Sequence, residues 1–334
     1  MHSYPHRRQT LKTPVTKLLF AVLSAAVFMP LAAHAQSYPA RPVTLVVPFA
    51  TGGPTDLSAR LVGKVLSTHL GQPVIIENKP GVGGSLGATF VSKAAPDGYT
   101  LLWGSASTLA VAPAVMADLQ YDAIKSFEHV SMVARQPHFL AARPEVAADL
   151  KALVAEAKRN PGKLNYGSAG NGSVTHLTGE YFKATMGIDI LHVPYKGGGP
   201  ALNDLLGGQI QMVFESISTL MPHVQAGKLK VLGVTSNKRD PVMPDVPTFR
   251  EALGVDFEAY SFFGLVAPRG TPAGVTNRLA QETRKVVADE EVRQTMVKLG
   301  FEVMGTSPEE FRKFITSEVG KWTEVAKAKN ITVK

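Results

Sequence analysis

Residues 43–49, Val-Thr-Leu-Val-Val-Pro-Phe, are apolar on both faces, and a strand of that kind must be covered on both sides. The chain around it alternates strand and helix. Leu57, Leu61, Val65 and Leu66 recur at helical spacing, and Gly71 stands at the expected C-cap. Residues 74–77 read as a second strand, and Asn78-Lys79-Pro80-Gly81 is turn chemistry. A small-residue helix is predicted near 85–95. Pro96-Asp97-Gly98 then turns the chain into a third strand at 99–103, and 127–134 reads as a fourth. Short β-rich runs alternating with helices predict an α/β fold with parallel strands.

A second unit starts near His138. Asp149 is placed to cap a helix carrying Leu150, Leu153, Val154 and Ala157, ended by Asn160-Pro161-Gly162. Strands are predicted at 164–166, 191–195, 211–214 and 231–235. Ser307-Pro308-Glu309-Glu310 is a helix start, with Ser as N-cap, Pro at N1 and Glu at N3. Two apolar runs, 139–142 and 260–267, read as crossings between units. Two crossings make the first domain discontinuous: 36–137 with 262–334, and 138–261 as the second. The pair of crossings is then a hinge.

The N-terminus predicts an export signal. Arg7, Arg8, Lys12 and Lys17 precede an apolar stretch at 18–33, and Ala33-His34-Ala35 is a cleavage site before Gln36. Pro30 interrupts the stretch and no second apolar run follows, which argues against a membrane anchor. Cleavage takes the net charge from +8 to +4, because 1–35 holds those four basic residues and no acid. The remaining basic residues are scattered, with no patch interleaved with aromatics, so nucleic acid is not an expected partner. There is no cysteine, which excludes a disulfide scaffold, a thiol nucleophile and a lipidated cysteine anchor. The nine histidines show no metal-ligand spacing, so no metal is expected, and no cofactor motif is present.

Three loops carry the chemistry. Residues 48–55 join a strand to a helix, where backbone N–H groups and the positive dipole end favour an anion. Gly52 and Gly53 allow close approach, and Thr55 and Asp56 are capping types. Residues 167–173 repeat the layout, with Asn171 and Ser173 as caps and the N–H groups of Gly170, Asn171 and Gly172 available as an anion nest. Lys196-Gly197-Gly198-Gly199-Pro200 repeats it again, with the Lys ahead of the glycines and so not a P-loop. None of the three contains Arg, which suits a releasable carboxylate held by backbone, hydroxyls and water better than a polyphosphate. A secreted serine hydrolase using Ser173 or Ser168 with His176 is the rival. It lacks a G-x-S-x-G elbow, and no catalytic residue is expected. His192 on its apolar strand reads as a core histidine, and Trp103 as core.

Five stretches in order resemble one family. They are Val47-Pro48-Phe49-Ala50 with Gly52-Gly53-Pro54-Thr55-Asp56; Glu77-Asn78-Lys79-Pro80-Gly81; Ala95-Pro96-Asp97-Gly98-Tyr99-Thr100-Leu101-Leu102; Gly167-Ser168 with Gly170-Asn171-Gly172-Ser173 and His176-Leu177; and His192-Val193-Pro194-Tyr195-Lys196-Gly197-Gly198-Gly199-Pro200-Ala201. The chain resembles the Bug family, the extracytoplasmic solute-binding proteins of tripartite tricarboxylate transporters. The resemblance implies a two-domain, type II-like periplasmic-binding-protein fold joined by two crossing strands. It implies a monomer in the periplasm that captures a small carboxylate (a di- or tricarboxylate, an acidic amino acid or an aromatic carboxylate) by hinge closure and presents it to membrane transporter subunits. A ligand sensor for a membrane signalling partner fits the same sequence. The resemblance also implies that the loops matching Phe49–Asp56 and Ser168–Ser173 hold one ligand carboxylate. The residues so expected at the ligand are Phe49, Ala50, Thr51, Gly52, Gly53, Thr55, Asp56, Ser107, Ser168, Gly170, Asn171, Gly172, Ser173, His176, Lys196 and Glu215. Thr51 departs from the Pro or Ala common there, Leu109 and Ala112 from His and Asn, and Glu215 from Asp; these departures bear on ligand identity.

Overall fold

Two mixed sheets carry the fold, each covered by helices on both faces. The computed structural model describes residues 1–6, 38–329 and 331. The export signal expected at 1–35 lies, from Arg7 onward, outside the described residues. Among the described residues no helix is long and apolar enough to cross a membrane.

The strands are β1 (Val43–Val47), β2 (Val74–Asn78), β3 (Thr100–Ser105), β4 (Phe127–Pro137), β5 (Phe139–Ala142), β6 (Asn165–Ser168), β7 (Leu191–Pro194), β8 (Met212–Glu215), β9 (Lys230–Val234), β10 (Tyr260–Pro268) and β11 (Glu302–Val303). The first sheet has the order β11-β4-β10-β3-β1-β2 and the second β7-β6-β8-β5-β9. β1 ends at Val47, two residues short of the expected end, where Pro48 has no N–H for the ladder. β1 pairs in parallel with β2 and β3, and β6 with β7 and β8. The expectation of parallel strands fails at the crossings. β4 and β11, and β3 and β10, run antiparallel, as does β5 against β8 and β9. The reason is directional: β4 runs through His138 straight into β5, and β10 brings the chain back, so these strands enter each sheet from the side opposite to a helix crossover.

The crossing point is tied by hydrogen bonds. Thr235 donates its N–H to the His138 carbonyl (2.9 Å), His138 N–H donates to Thr235 Oγ1 (2.9 Å), and Thr235 Oγ1 donates to the Ala259 carbonyl (2.6 Å). The His138 ring is fully buried between the Thr178 and Ser261 hydroxyls, at 3.1 and 2.8 Å.

Local signals read from the sequence recur as geometry. Gly71 closes the Pro54–Leu70 helix with φ 69°, and Asp149 accepts from the Ala152 N–H at 2.8 Å. Ser307 and Glu310 form a reciprocal capping box at the Pro308–Ala328 helix. That helix returns to the first sheet and buries Phe311, Ile315 and Trp322 there. Trp103 is core, and its indole N–H donates to Ser58 Oγ at 3.0 Å.

The C-terminal helix tests this packing. Ser307→Ala is expected to cost about 1 kcal/mol through the lost cap. Phe311→Ala, at a fully buried ring edge-on to Phe262, is expected to cost about 3–5 kcal/mol. Urea midpoints at unchanged slope check both.

Candidate functional site

In a sheet with parallel strands, loops that bind ligands leave the carboxyl ends of those strands. Here β1, β3, β6 and β8 all end at one place. There they enclose a small cavity of ≈ 30 Å³, lined by Phe49, Gly53, Pro54, Thr55, Ser105, Ser107, Ala169, Val174, Thr175, Gly198, Glu215, Ser261 and Phe263. A larger groove of ≈ 600 Å³ lies along Arg135, Tyr260 and Phe301. It sits on the crossing strands, away from the strand ends, and its Arg135 is already paired with Glu302.

Three helices begin on the cavity. Pro54 and Thr55 open the Pro54–Leu70 helix, Val174 and Thr175 open Val174–Met186, and Gly198 opens Gly198–Leu206. Each brings the positive end of a dipole of roughly half a charge and first-turn N–H groups, except that Pro54 has none and the Val174 N–H is donated to Ser107 Oγ. Among the described residues no Lys or Arg lines the cavity. Thr55, Ser105, Ser107, Thr175 and Ser261 supply hydroxyls, and all are buried. Ser105 Oγ is buried without a partner.

Of the expected ligand residues, Phe49, Gly53, Thr55, Ser107 and Glu215 line the cavity. The others do not line it. Gly53, not Thr55 or Asp56, is the N-cap of its helix, and no side chain caps that end. Asp56 is turned away: its carboxylate accepts from the Gly52 N–H (3.2 Å), Arg60 Nε (3.0 Å) and Asn78 Nδ2 (2.9 Å). Burial alone would raise its pKa; the bonds from Arg60, Asn78 and Gly52 outweigh burial and hold the carboxyl below its ordinary value. Asn78 Nδ2 also donates to the Phe49 carbonyl (2.9 Å), so this network ties the loop to β2. Thr51, Gly52 and Ala50 form the rim; the Ala50 N–H donates to the Lys196 carbonyl at 3.0 Å, while the Lys196 side chain is exposed.

Two of the three amides expected as an anion nest at 170–172 are bonded inside their own segment. The Gly170 N–H donates to Ser168 Oγ (3.1 Å) and the Gly172 N–H to His176 Nδ1 (3.2 Å). Ser173 caps its helix through His176 N–H (3.2 Å). Asn171 sits against Gly83, with no room between them for a side chain. His192 is not a core histidine. Its ring stacks on His176 (centroids 3.9 Å, 16° between planes), and its Nε2 bonds Ser168 Oγ at 2.6 Å. The hydrolase arrangement is absent: Ser173 does not bond an imidazole, and Ser168 meets His192 and not His176.

Several lining residues escaped the sequence reading. Ser105 accompanies Ser107 at the end of β3, where Ser107 Oγ accepts the Val174 N–H at 2.9 Å. The small-residue run Gly-Ser-Ala-Ser-Thr at 104–108 is a loop signal like the other three. Ser261 and Phe263 come from the crossing strand β10, and nothing local marks them. Among the described residues no group of three or more His, Cys, Asp or Glu is placed to hold a metal.

Burial lowers the pKa of His176 to about 4, and burial with repulsion from His176 lowers that of His192 to about 3. Both lie below the unfolded value near 6.5. The unfolded chain therefore binds more protons between about pH 6.5 and 4, and stability is lost as pH falls through that window. The melting temperature is expected to drop between about pH 7 and 4.5, and His192→Gln to flatten that drop. Scanning calorimetry at both pH values on both proteins checks it.

With the geometry established, the chain can be set beside known proteins. Residues 58–331 match the family described as "Tripartite tricarboxylate transporter family receptor". The periplasmic binding protein BugD is 36% identical, with TM-score 0.86 over 89% of this chain and 100% of its own. MatC from Rhodopseudomonas palustris, solved with bound malate, is 37% identical with TM-score 0.84 over 86% and 99%. An R. palustris protein solved with adipate is 34% identical with TM-score 0.85 over 88% and 99%. The chain belongs to the family of tripartite tricarboxylate transporter receptors, has the two-domain fold of periplasmic binding proteins, and is a binding protein and not an enzyme.

Proposed function

We propose that this receptor captures a small carboxylate in the cavity between its two sheets, in the periplasm, and presents it to membrane subunits of a tripartite tricarboxylate transporter. The observation that carries the reading is the convergence of three helix N-termini and buried hydroxyls on a cavity with no cation. Such a site stabilises an anion through fixed backbone dipoles and releases it more readily than an Arg clamp would. MatC with malate and its relative with adipate support a carboxylate as the class.

Capture works by closure of two lobes, 36–137 with 262–334 against 138–261. The lining hydroxyls are buried, so ligand reaches them only when the facing loops part. The hinge is the Thr235 knot around His138 and Ala259, where few backbone torsions need to change. Closure brings backbone onto backbone. A Cβ at Gly199 would lie 2.8 Å from the Thr51 carbonyl oxygen, and one at Gly83 2.8 Å from the Ser173 nitrogen.

A thermal-shift panel of carboxylates on the protein lacking 1–35 tests the reading. Ligand at a hundred times its Kd stabilises by about 2.7 kcal/mol. Gly199→Ala separates closure from folding. Ala in a helix is more stable than Gly by about 0.5–1 kcal/mol, so this variant is expected to keep its melting temperature while its ligand affinity falls at least about tenfold, the equivalent of about 1.4 kcal/mol. No shift with any carboxylate, or full affinity in Gly199→Ala, would count against the reading.

A further inference from the structure

The single ionisable side chain in the cavity wall is an acid. Glu215 ends β8, is only 4% exposed, and lines the cavity. Its Oε1 accepts the Ser216 N–H at 2.8 Å. Its Oε2 lies against the Gly198 backbone, at the start of a helix, and among the described residues no backbone N–H is bonded to it. An anionic ligand here would meet a second anion with no cation beside it, an arrangement that buried carboxylates escape by sharing protons.

We propose that Glu215 faces the bound carboxylate as a neutral acid and donates a hydrogen bond to it from Oε2, so that each capture takes up one proton from solvent. The inference rests on the carboxylate reading above and adds to it how the site regulates affinity. In the open form Glu215 is hydrated and ionised near neutrality. Closure dehydrates it, the proton arrives from water on Oε2, and the ligand carboxylate accepts the resulting O–H. Burial, offset in part by the Ser216 N–H and hydroxyl, pushes the pKa of this carboxyl in the empty closed cavity up to about 7, and a ligand carboxylate against it pushes it further up.

No other group competes for that proton in the neutral range. On the first lobe, Asp56 is held by Arg60 and Asn78. On the helix behind the second loop, His176 is stacked on His192, and burial keeps both neutral above about pH 5. On the neighbouring strand, His138 is sealed between two hydroxyls with its pKa lowered to about 3 by burial. Along the helix that starts at Gly198, Asp204 accepts from the Tyr195 hydroxyl, away from the cavity.

The test is calorimetric binding of adipate and malate between about pH 6.5 and 8.5, where both probes are fully ionised. The Kd for wild type is expected to weaken by about tenfold per pH unit as the proton becomes harder to supply. Titrations in two buffers of different ionisation heat should count about one proton taken up per ligand. In Glu215→Gln, a permanent neutral donor, the pH slope should vanish. The proton count on wild type decides the matter if that variant does not fold. A flat wild-type profile, a proton count near zero, or a slope that persists in Glu215→Gln overturns the proposal while leaving carboxylate binding intact. So does tighter binding of aspartate as pH rises, which would make Glu215 an anion paired with ammonium. If neither probe binds at any pH, the carboxylate reading falls and the proton linkage with it.

Discussion

Backbone N–H groups of Thr55, Thr175 and Gly198 stand at helix starts around one small space, and their partial charges gain strength there because the surroundings exclude water. In bulk water such dipoles are worth little. Phe49 and Phe263 line that space, its hydroxyls are buried, and together they keep the local dielectric low. The rest of the architecture serves that arrangement. Parallel pairing of β1 with β3, and of β6 with β8, brings strand ends and helix starts to the same edge of each sheet. The crossing strands then set the two edges face to face.

The glycines at this junction act through what they lack. Gly199 lies against the Thr51 carbonyl, and Gly83 against Asn171 and Ser173, at separations that leave no place for a side chain. Close approach of main chain to main chain lets the helix ends share one cavity. It also fits loops rich in glycine and free of Arg: a guanidinium has no room where main chain meets main chain. The networks behind the cavity supply rigidity. Asp56, Arg60 and Asn78 lock the first loop, and Ser168, His192 and His176 lock the second.

Much of this was legible along the chain. The strand and helix order, the caps at Asp149 and Ser307, the Gly71 terminus and the loops after β1 and β6 all follow from local chemistry, because capping and periodicity act over a few residues. Three expectations shifted once partners were in view. Asp56, open to capping or to the ligand, is held by Arg60, Gly52 and Asn78; the Gly170 and Gly172 amides meet Ser168 and His176; and His192 stacks on His176, a contact with another element that local sequence does not show. Ser261 and Phe263 were missed because an apolar crossing strand shows no sign of which residues face a cavity.

By itself, the sequence determined an α/β chain with Gly-rich, cation-free loops at helix starts, since strand burial, helix capping and the absence of Arg are properties of short segments. Only the tertiary structure decided which of those loops meet, that β4, β5 and β10 run against their neighbours, and that the lone carboxyl of Glu215 ends inside the wall. These outcomes depend on contacts between residues far apart in the chain, and on desolvation that exists only once both sheets have closed around the same space.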